Sequence, residues 1–213
     1  MTQMKTSLIW KRLLIVGKKI VRSSEIKSLA RELGKNEERS LYYLQEEGYI
    51  VRIFRGIFYV KTMEERELGT FNNTIYEIVA LALKEKGVEN WYFGLENGLK
   101  INNMTHEYFT IDYVITDSYR TTKVIRICNT RFQFFKRSIK QFQNGILQRD
   151  GVRYSNPEKT VLDLVYQRYL DSGDSDYLLL PIKEYREKID LRMTKDYLSM
   201  YPPSFQAKVE EFL

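Results

Sequence analysis

Residues 23 to 61 constrain the fold most, because they place two short amphipathic helix patterns directly before a tight hairpin pattern. The first helix ends at Gly34, and its apolar residues recur at the spacing of one helical face. The second helix begins at Asn36, a residue that suits an N-cap. Two strand-like runs then flank Arg55-Gly56, where glycine tolerates the positive φ of a tight turn. This order predicts a winged helix-turn-helix whose second helix is the recognition helix.

A third helix is expected upstream of these two. The apolar residues Ile9, Leu13, Val16 and Ile20 are spaced as one stripe along a helix. Such a helix would be the third helix of a three-helix DNA-binding core.

Charge supports this interpretation independently of the pattern. Residues 1–62 contain 13 Lys or Arg and 6 Asp or Glu, a balance of +7, whereas the rest of the chain contains 21 and 22, a balance of −1. Basic surfaces bind nucleic-acid phosphates by releasing condensed counterions, while contacts to base edges supply specificity. The predicted DNA-binding residues are Ser24, Lys27, Lys35, Asn36, Arg39, Ser40, Tyr43, Arg52 and Arg55. We assign the lysines with Arg52 and Arg55 to phosphates or groove edges, and the polar residues from Asn36 to Tyr43 to base edges.

Length and composition set looser bounds. A chain of 213 residues with 43% hydrophobic residues suits two domains of unequal size, each with a packed core. We expect a cytoplasmic protein, because the sequence has neither a membrane-spanning apolar run nor a secretory signal. One cysteine excludes an intrachain disulfide, and one histidine argues against a zinc site, so we expect no metal and no cofactor. Cys128 is expected in a strand and His106 in a loop.

The predicted fold class is α+β. A winged helix-turn-helix domain over residues 1–62 and a charged, helical linker over 63–72 precede a larger mixed α/β domain over 73–213 with C-terminal helices. Strands are predicted at Tyr108 to Thr116, Thr122 to Cys128 and Arg131 to Phe135, and we expect these three to form a sheet.

A second basic face is expected in this larger domain. Seven cationic residues occur between positions 120 and 140 with no acidic residue among them. They are Arg120, Lys123, Arg126, Arg131, Lys136, Arg137 and Lys140. Such a face could meet nucleic acid or an acidic protein.

Residues 151 to 170 predict a strand followed by a buried helix. Ser155 and Glu158 have the spacing of a capping box, and Pro157 suits the first helical turn. Lys159 and Asp163, four residues apart, are expected to pair on the exposed edge of this helix. We therefore interpret the charged residues here as structural and not catalytic.

Enzymatic interpretations are weak. A nucleotidyltransferase would need a Gly-Ser turn followed by closely spaced carboxylates, and the sequence has no such arrangement. A restriction-type nuclease would need acidic residues on the strand after the one that carries Asp112, and the strand from Thr122 to Cys128 has none. The acidic run Asp171 to Asp176 lacks the glycine and distal glutamate of a calcium-binding EF-hand, which favours a solvated loop. We expect a protein that is not an enzyme.

The combination of three segments resembles the AbiEi family of abortive-infection antitoxins and transcriptional regulators. These segments are the hairpin ending in Arg55-Gly56-Ile57-Phe58-Tyr59, the strand and helix from Trp91 to Leu99, and the run from Val152 to Leu164. The resemblance covers roughly residues 5 to 170 and implies two activities in the cytosol. The winged helix would repress its own operon by binding operator repeats, and the C-terminal domain would counteract a cognate nucleotidyltransferase-type toxin. It also implies a structural role, and not an active site, for Pro157 to Asp163.

Three hypotheses follow from these observations. The first is a DNA-binding autorepressor and antitoxin, whose partners are inverted repeats upstream of its own gene, a toxin, and a second copy on DNA. The alternative is a plain transcriptional regulator whose α/β domain binds a small ligand or only dimerises. The third is a nucleic-acid-processing enzyme that uses the second basic face. A winged helix that binds protein, or a charged surface that is merely solvated, also stays open.

Overall fold

The computed structural model describes residues 2–172 and 177–213, and its mixed helices and sheets confirm the predicted α+β class. The chain divides into two compact units, Met1–Glu89 with Ile127–Asn129, and Asn90–Arg126 with Thr130–Leu213. Within the described ranges, no helix has the length and apolar character needed to cross a membrane. The predicted acidic loop at 171–176 lies largely outside the described residues.

The first unit contains the three helices and the hairpin expected over residues 1–62, together with a strand at Ile20–Arg22 that was not predicted, and two more helices follow. They are, in chain order, α1 (Thr2–Ile15), β1 (Ile20–Arg22), α2 (Ser23–Glu32), α3 (Glu37–Glu46), β2 (Ile50–Phe54), β3 (Ile57–Val60), α4 (Met63–Leu68) and α5 (Ile75–Lys86). The three strands form an antiparallel sheet in the order β1-β3-β2. The predicted linker is therefore helical in its first half, over α4.

The stripe predicted along α1 is only half right. Ile9 and Leu13 are buried, but the helix ends at Ile15, and Gly17 follows with a φ of 70°. A left-handed glycine ends a helix because it lets the chain turn away from the axis. Val16 is consequently 69% exposed, and Ile20 begins a strand.

The core of the first unit lies between one face of the sheet and the three N-terminal helices. Phe58 and Val60 of β3 pack there with Ile9, Trp10 and Leu13 of α1. Because side chains alternate along a strand, Tyr59 points to the opposite face, where its hydroxyl donates to Glu65 of α4 at 2.7 Å. Helix α5, which the sequence placed in the second domain, packs against all three strands of this sheet.

The second unit is built on a six-stranded mixed sheet with helices after its strands. Its elements are β4 (Trp91–Phe93), α6 (Glu96–Ile101), β5 (Asp112–Thr116), β6 (Ile125–Ile127), β7 (Thr130–Lys136), β8 (Ile146–Arg149), β9 (Val152–Ser155), α7 (Pro157–Ser172), α8 (Leu180–Glu184), α9 (Leu191–Tyr197) and α10 (Pro203–Val209). The sheet order is β6-β7-β5-β4-β9-β8. Short 3-10 helices are found at Ile139–Phe142, Arg186–Lys188, Leu198–Met200 and Glu210–Phe212.

The three strands predicted to form a sheet are neighbours in it, although two are shorter than expected. Cys128 is not in a strand: Cys128 and Asn129 have φ values of 46° and 69°, which make them a tight turn between β6 and β7. His106 is in a loop, as predicted. Strand β8 was not predicted, and it joins β9 through a second such turn at Asp150-Gly151.

Helix α7 begins one residue later than the predicted capping box requires. Asn156 is the residue before the helix, and its Oδ1 accepts from the Lys159 backbone N–H at 3.0 Å. Ser155 instead pairs its hydroxyl with that of Thr160 at 2.6 Å, and Glu158 accepts from the Asp190 N–H at 3.1 Å. The capping box at Ser155 was therefore wrong, although a polar cap is present.

The C-terminal helices pack against α7. Val161 and Val165 of α7 pack in one cluster with Phe205 and Val209 of α10. Phe212 is 47% exposed because it lies beyond the end of α10.

Candidate nucleic-acid interface

Helices α2 and α3 are joined by two ion pairs across their exposed edges. Lys27 contacts Glu38, and Arg31 Nε lies 2.7 Å from Glu37 Oε1. The hydrogen bond from Arg31 lowers the pKa of Glu37, and the same bond raises the pKa of Arg31. These contacts use acidic residues of α3 to orient it on α2, and they occupy Lys27, which the sequence had assigned to phosphate.

The outward face of α3 differs from the one predicted. Ser40 is only 3% exposed, because it lies four residues before the buried Leu44 and shares its face. Tyr43 is half-buried and its ring centroid lies 6.1 Å from that of Tyr49. Ser40 is therefore directed into the core and not toward a base edge, whereas Tyr43 keeps part of its surface exposed. The exposed residues of α3 are Glu38, Arg39, Glu46 and, not anticipated from the sequence, Tyr42, which is 64% exposed.

The other predicted contact residues near α3 differ in role: some stabilise the helices, and others are exposed. Asn36 is the N-cap, and its Oδ1 accepts from the Arg39 backbone N–H at 2.9 Å. Its side-chain oxygen is therefore committed to the helix, although the residue itself is exposed. Lys35 lies in the segment that connects α2 to α3 and is half-buried. Ser24 is exposed in the first turn of α2.

The hairpin turn lies beside the start of α2. The Ser23 backbone N–H donates to the Gly56 carbonyl at 2.9 Å, and a Cβ added to Gly56 would lie 3.3 Å from Ser23 Oγ. Gly56 has a φ of 74°, as the turn prediction required. Arg52 on β2 and Arg55 in the turn are both exposed. The hairpin thus presents its cations next to the N-terminus of a helix, which itself favours anions.

Four of the predicted contact residues have no ionic partner in the part of the chain that the structure describes. Lys35, Arg39, Arg52 and Arg55 have no carboxylate oxygen within 4.0 Å among residues 2–172 and 177–213. Other cations of the first unit are paired, such as Arg22 with Glu85 at 2.6 Å. The unpaired cations of this unit therefore include one on α3 and two on the hairpin.

The second basic face is dispersed over several elements of the second unit. Arg120 and Lys123 lie in the loop between β5 and β6, Arg126 is on β6, Arg131 and Lys136 are on β7, Arg137 follows β7, and Lys140 is in a 3-10 helix. Arg131 donates its Nε–H to the Thr110 carbonyl at 3.1 Å. Arg120, Lys136 and Arg137 come together around one pocket, and the other four do not line it.

The predicted pair of Lys159 and Asp163 is buried and not exposed. Asp163 accepts hydrogen bonds from the hydroxyls of Tyr92 at 2.9 Å and Tyr201 at 2.7 Å, and Lys159 Nζ lies 3.5 Å from its Oδ1. Burial lowers the pKa of Lys159. Burial together with the charge of Asp163 raises the pKa values of Tyr92 and Tyr201 well above the usual range of a tyrosine. All four side chains are at most 4% exposed, so this cluster holds α7 in place without access for a substrate.

Asp112 likewise has a structural environment. Its Oδ1 accepts from Asn97 Nδ2 at 2.7 Å and lies 3.4 Å from Lys100 Nζ. No group of three or more histidine, cysteine or acidic residues among those described could hold a metal ion. The geometry around Asp112 therefore gives no support to a nuclease centre.

Comparison with known proteins adds no family to these observations. A scan against models of protein families gave no match, and a search of curated proteins found no significant similarity.

Proposed function

We propose that this protein is a DNA-binding transcriptional regulator that represses its own gene and acts as an antitoxin. In this proposal the α1 to β3 segment is a winged helix-turn-helix, with α3 as recognition helix and the β2-β3 hairpin as a short wing. The element order α1-β1-α2-α3-β2-β3 and the sheet order β1-β3-β2 support it.

The observation that carries the proposal is the position of the exposed cations. Arg39 lies on α3, and Arg52 and Arg55 lie on the adjoining hairpin, without carboxylate partners among the described residues. Arginine binds phosphate and guanine edges with paired hydrogen bonds. These three side chains are therefore suited to contact a duplex at the helix and at the wing.

The acidic residues of α3 are compatible with this role. Glu37 and Glu38 are engaged by Arg31 and Lys27, so their charges are partly neutralised, and the third acidic residue, Glu46, lies at the opposite end of α3. Readout would then depend on Arg39 and the neighbouring Tyr42, with non-specific affinity supplied by the hairpin. A single winged helix contacts only a few base pairs, so we expect two copies on an inverted repeat.

The antitoxin part of the proposal depends on the second unit. It is supported by the resemblance of the Val152 to Leu164 run to the AbiEi family, and by a charged surface available for a partner. In this proposal Lys159 and Asp163 maintain the fold of the unit and have no catalytic role. The alternative, a regulator without a toxin partner, needs only the first unit for DNA binding.

DNA binding is tested with purified protein and the DNA immediately upstream of its own gene, across a salt series. We expect tight, salt-sensitive binding that Arg39→Ala and Arg55→Ala each weaken by about 1 to 3 kcal/mol. Lys84→Ala is the matched control, because Lys84 is an exposed cation on α5 of the same unit. Equal affinity of all four proteins, or no binding by the wild type, would overturn the proposal.

The antitoxin activity is tested separately by co-expression with the product of the adjacent gene. Rescue of growth by the wild type and by Arg39→Ala would assign antitoxicity to a surface other than α3. Growth inhibition that the wild type does not relieve, or an adjacent gene whose product is harmless, would favour the plain regulator.

A further inference from the structure

The second unit has an open pocket at the end of β7 whose wall is strongly cationic. Its volume is about 280 Å³, and the residues lining it include Arg120, Thr121, Phe134, Phe135, Lys136 and Arg137. Pockets for small molecules begin at about 300 Å³, so this one suits a compact ligand. Among the residues that the structure describes, no acidic one lines it.

Arg137 is held in position at this pocket before any ligand arrives. Its Nη2 donates to Gln167 Oε1 on α7, and Gln167 is fixed in turn by Asp171, whose two oxygens accept at 2.9 and 3.0 Å. The guanidinium also lies 5.3 Å from the Phe135 ring centroid and 5.4 Å from that of Tyr166. An arginine fixed in this way loses little conformational freedom when it binds an anion.

The cations of the pocket have spare binding capacity. Within residues 2–172 and 177–213, Arg120, Lys136 and Arg137 have no carboxylate oxygen within 4.0 Å. Thr121 Oγ1 accepts from the Phe134 backbone N–H at 3.1 Å, which leaves the hydroxyl hydrogen to donate to another group. Four donors of this kind line one small space, which suits an acceptor with several negative oxygens.

We propose that this pocket binds a phosphorylated small molecule of about the size of one nucleotide. A phosphate offers a double charge and several acceptor oxygens to the three cations and to Thr121, which a single carboxylate does not. Phe135, which lines the pocket and is partly exposed, provides an apolar side for the remainder of the ligand. This site lies in the second unit and does not depend on the proposed DNA-binding function.

Isothermal titration of the full chain tests the proposal with four probes: inorganic phosphate, AMP, adenosine, and a single-stranded oligonucleotide with a 5′-phosphate. We expect saturable binding of AMP, weaker binding of phosphate alone, and no binding of adenosine. The oligonucleotide distinguishes a free nucleotide from the end of a nucleic acid. Binding of the oligonucleotide without binding of AMP would overturn the small-molecule proposal.

Paired variants locate the site. Arg120→Ala and Lys136→Ala remove exposed cations of the pocket and should each weaken AMP binding on the order of tenfold, the loss expected for one charge-assisted hydrogen bond. Arg126→Ala and Lys140→Ala remove exposed cations that do not line it and should leave AMP binding unchanged. Arg39→Ala should also bind AMP normally, which separates this site from the first unit. Equal effects of the pocket variants and their controls, or no binding of AMP or phosphate by the wild type, would overturn the assignment.

Discussion

Lys159 and Asp163 lie one turn apart on α7 and form an ion pair in which neither side chain is more than 4% exposed. A buried charge that loses its partner remains desolvated, which typically costs about 3 to 5 kcal/mol. Asp163 also accepts the hydroxyl hydrogens of Tyr92 and Tyr201, so removing its charge weakens three interactions at once.

We therefore expect Lys159→Met and Asp163→Asn each to lower the free energy of unfolding by about 3 to 5 kcal/mol. The double variant should lose less free energy of unfolding than the two single variants lose together, because it leaves no buried charge unpaired. Urea unfolding of the four proteins measures this coupling. Losses that simply add would show that the two charges do not interact.

The position of this pair shows what sequence spacing can and cannot establish. The separation of four residues places Lys159 and Asp163 on the same face of a helix, and this was correct. Which face is buried depends on Tyr92, 71 residues before Asp163, and Tyr201, 38 residues after it. Neither distant contact has a signal in the local sequence, so the pair was wrongly placed at the surface.

Other differences had local signals. Ser40 precedes the apolar Leu44 by one helical turn, so spacing alone placed it on the inner face, and the exposed Tyr42 on the outer one. Asp150-Gly151 is a frequent two-residue hairpin turn, and it could have predicted β8 before β9. The limits of α5 are set locally, because Thr74 caps its start in a capping box with Glu77 and Gly87 ends it in the left-handed conformation.

A second prediction concerns Tyr42 and Tyr43, which are adjacent on α3 but have opposite environments. Tyr42→Ala should weaken binding to operator DNA by about 1 to 3 kcal/mol while changing the free energy of unfolding by less than about 0.5 kcal/mol. Tyr43→Ala should destabilise the fold by about 1 to 3 kcal/mol, because its ring packs near Tyr49 in the core of the first unit. Titration of DNA and thermal unfolding measure the two effects. A reversed pattern would contradict the assignment of the outer face.

A third prediction concerns the close contact between α6 and α7 at Gly98. A Cβ at this position would collide with Thr160 Oγ1 and would lie 2.6 Å from Ser155 Oγ. Gly98→Ala should therefore destabilise the protein by about 1 to 3 kcal/mol, although alanine favours helices. Thr160→Ala removes part of the obstruction, so the double variant should recover some of this loss. Chemical denaturation of the three variants tests the contact, and a neutral Gly98→Ala would show that the helices separate easily.

The last prediction concerns the buried carboxylate of Glu65, which is 0% exposed. Burial alone raises its pKa, but hydrogen bonds from the Tyr59 hydroxyl and the Thr62 and Asn72 backbone N–H groups outweigh this effect, and the pKa is lowered. The folded state then binds a proton less readily than the unfolded chain does, so Glu65 stabilises the fold above the unfolded pKa of about 4.3 and loses this effect as pH falls. Glu65→Gln should be less stable at pH 7 by about 1 to 3 kcal/mol and should lose less stability than the wild type between pH 5 and about 3. Glu64→Gln, a change at the exposed neighbouring position, should follow the wild-type curve in urea unfolding across this range. If Glu65→Gln also follows that curve, the hydrogen bonds to Glu65 do not maintain the ionised carboxylate.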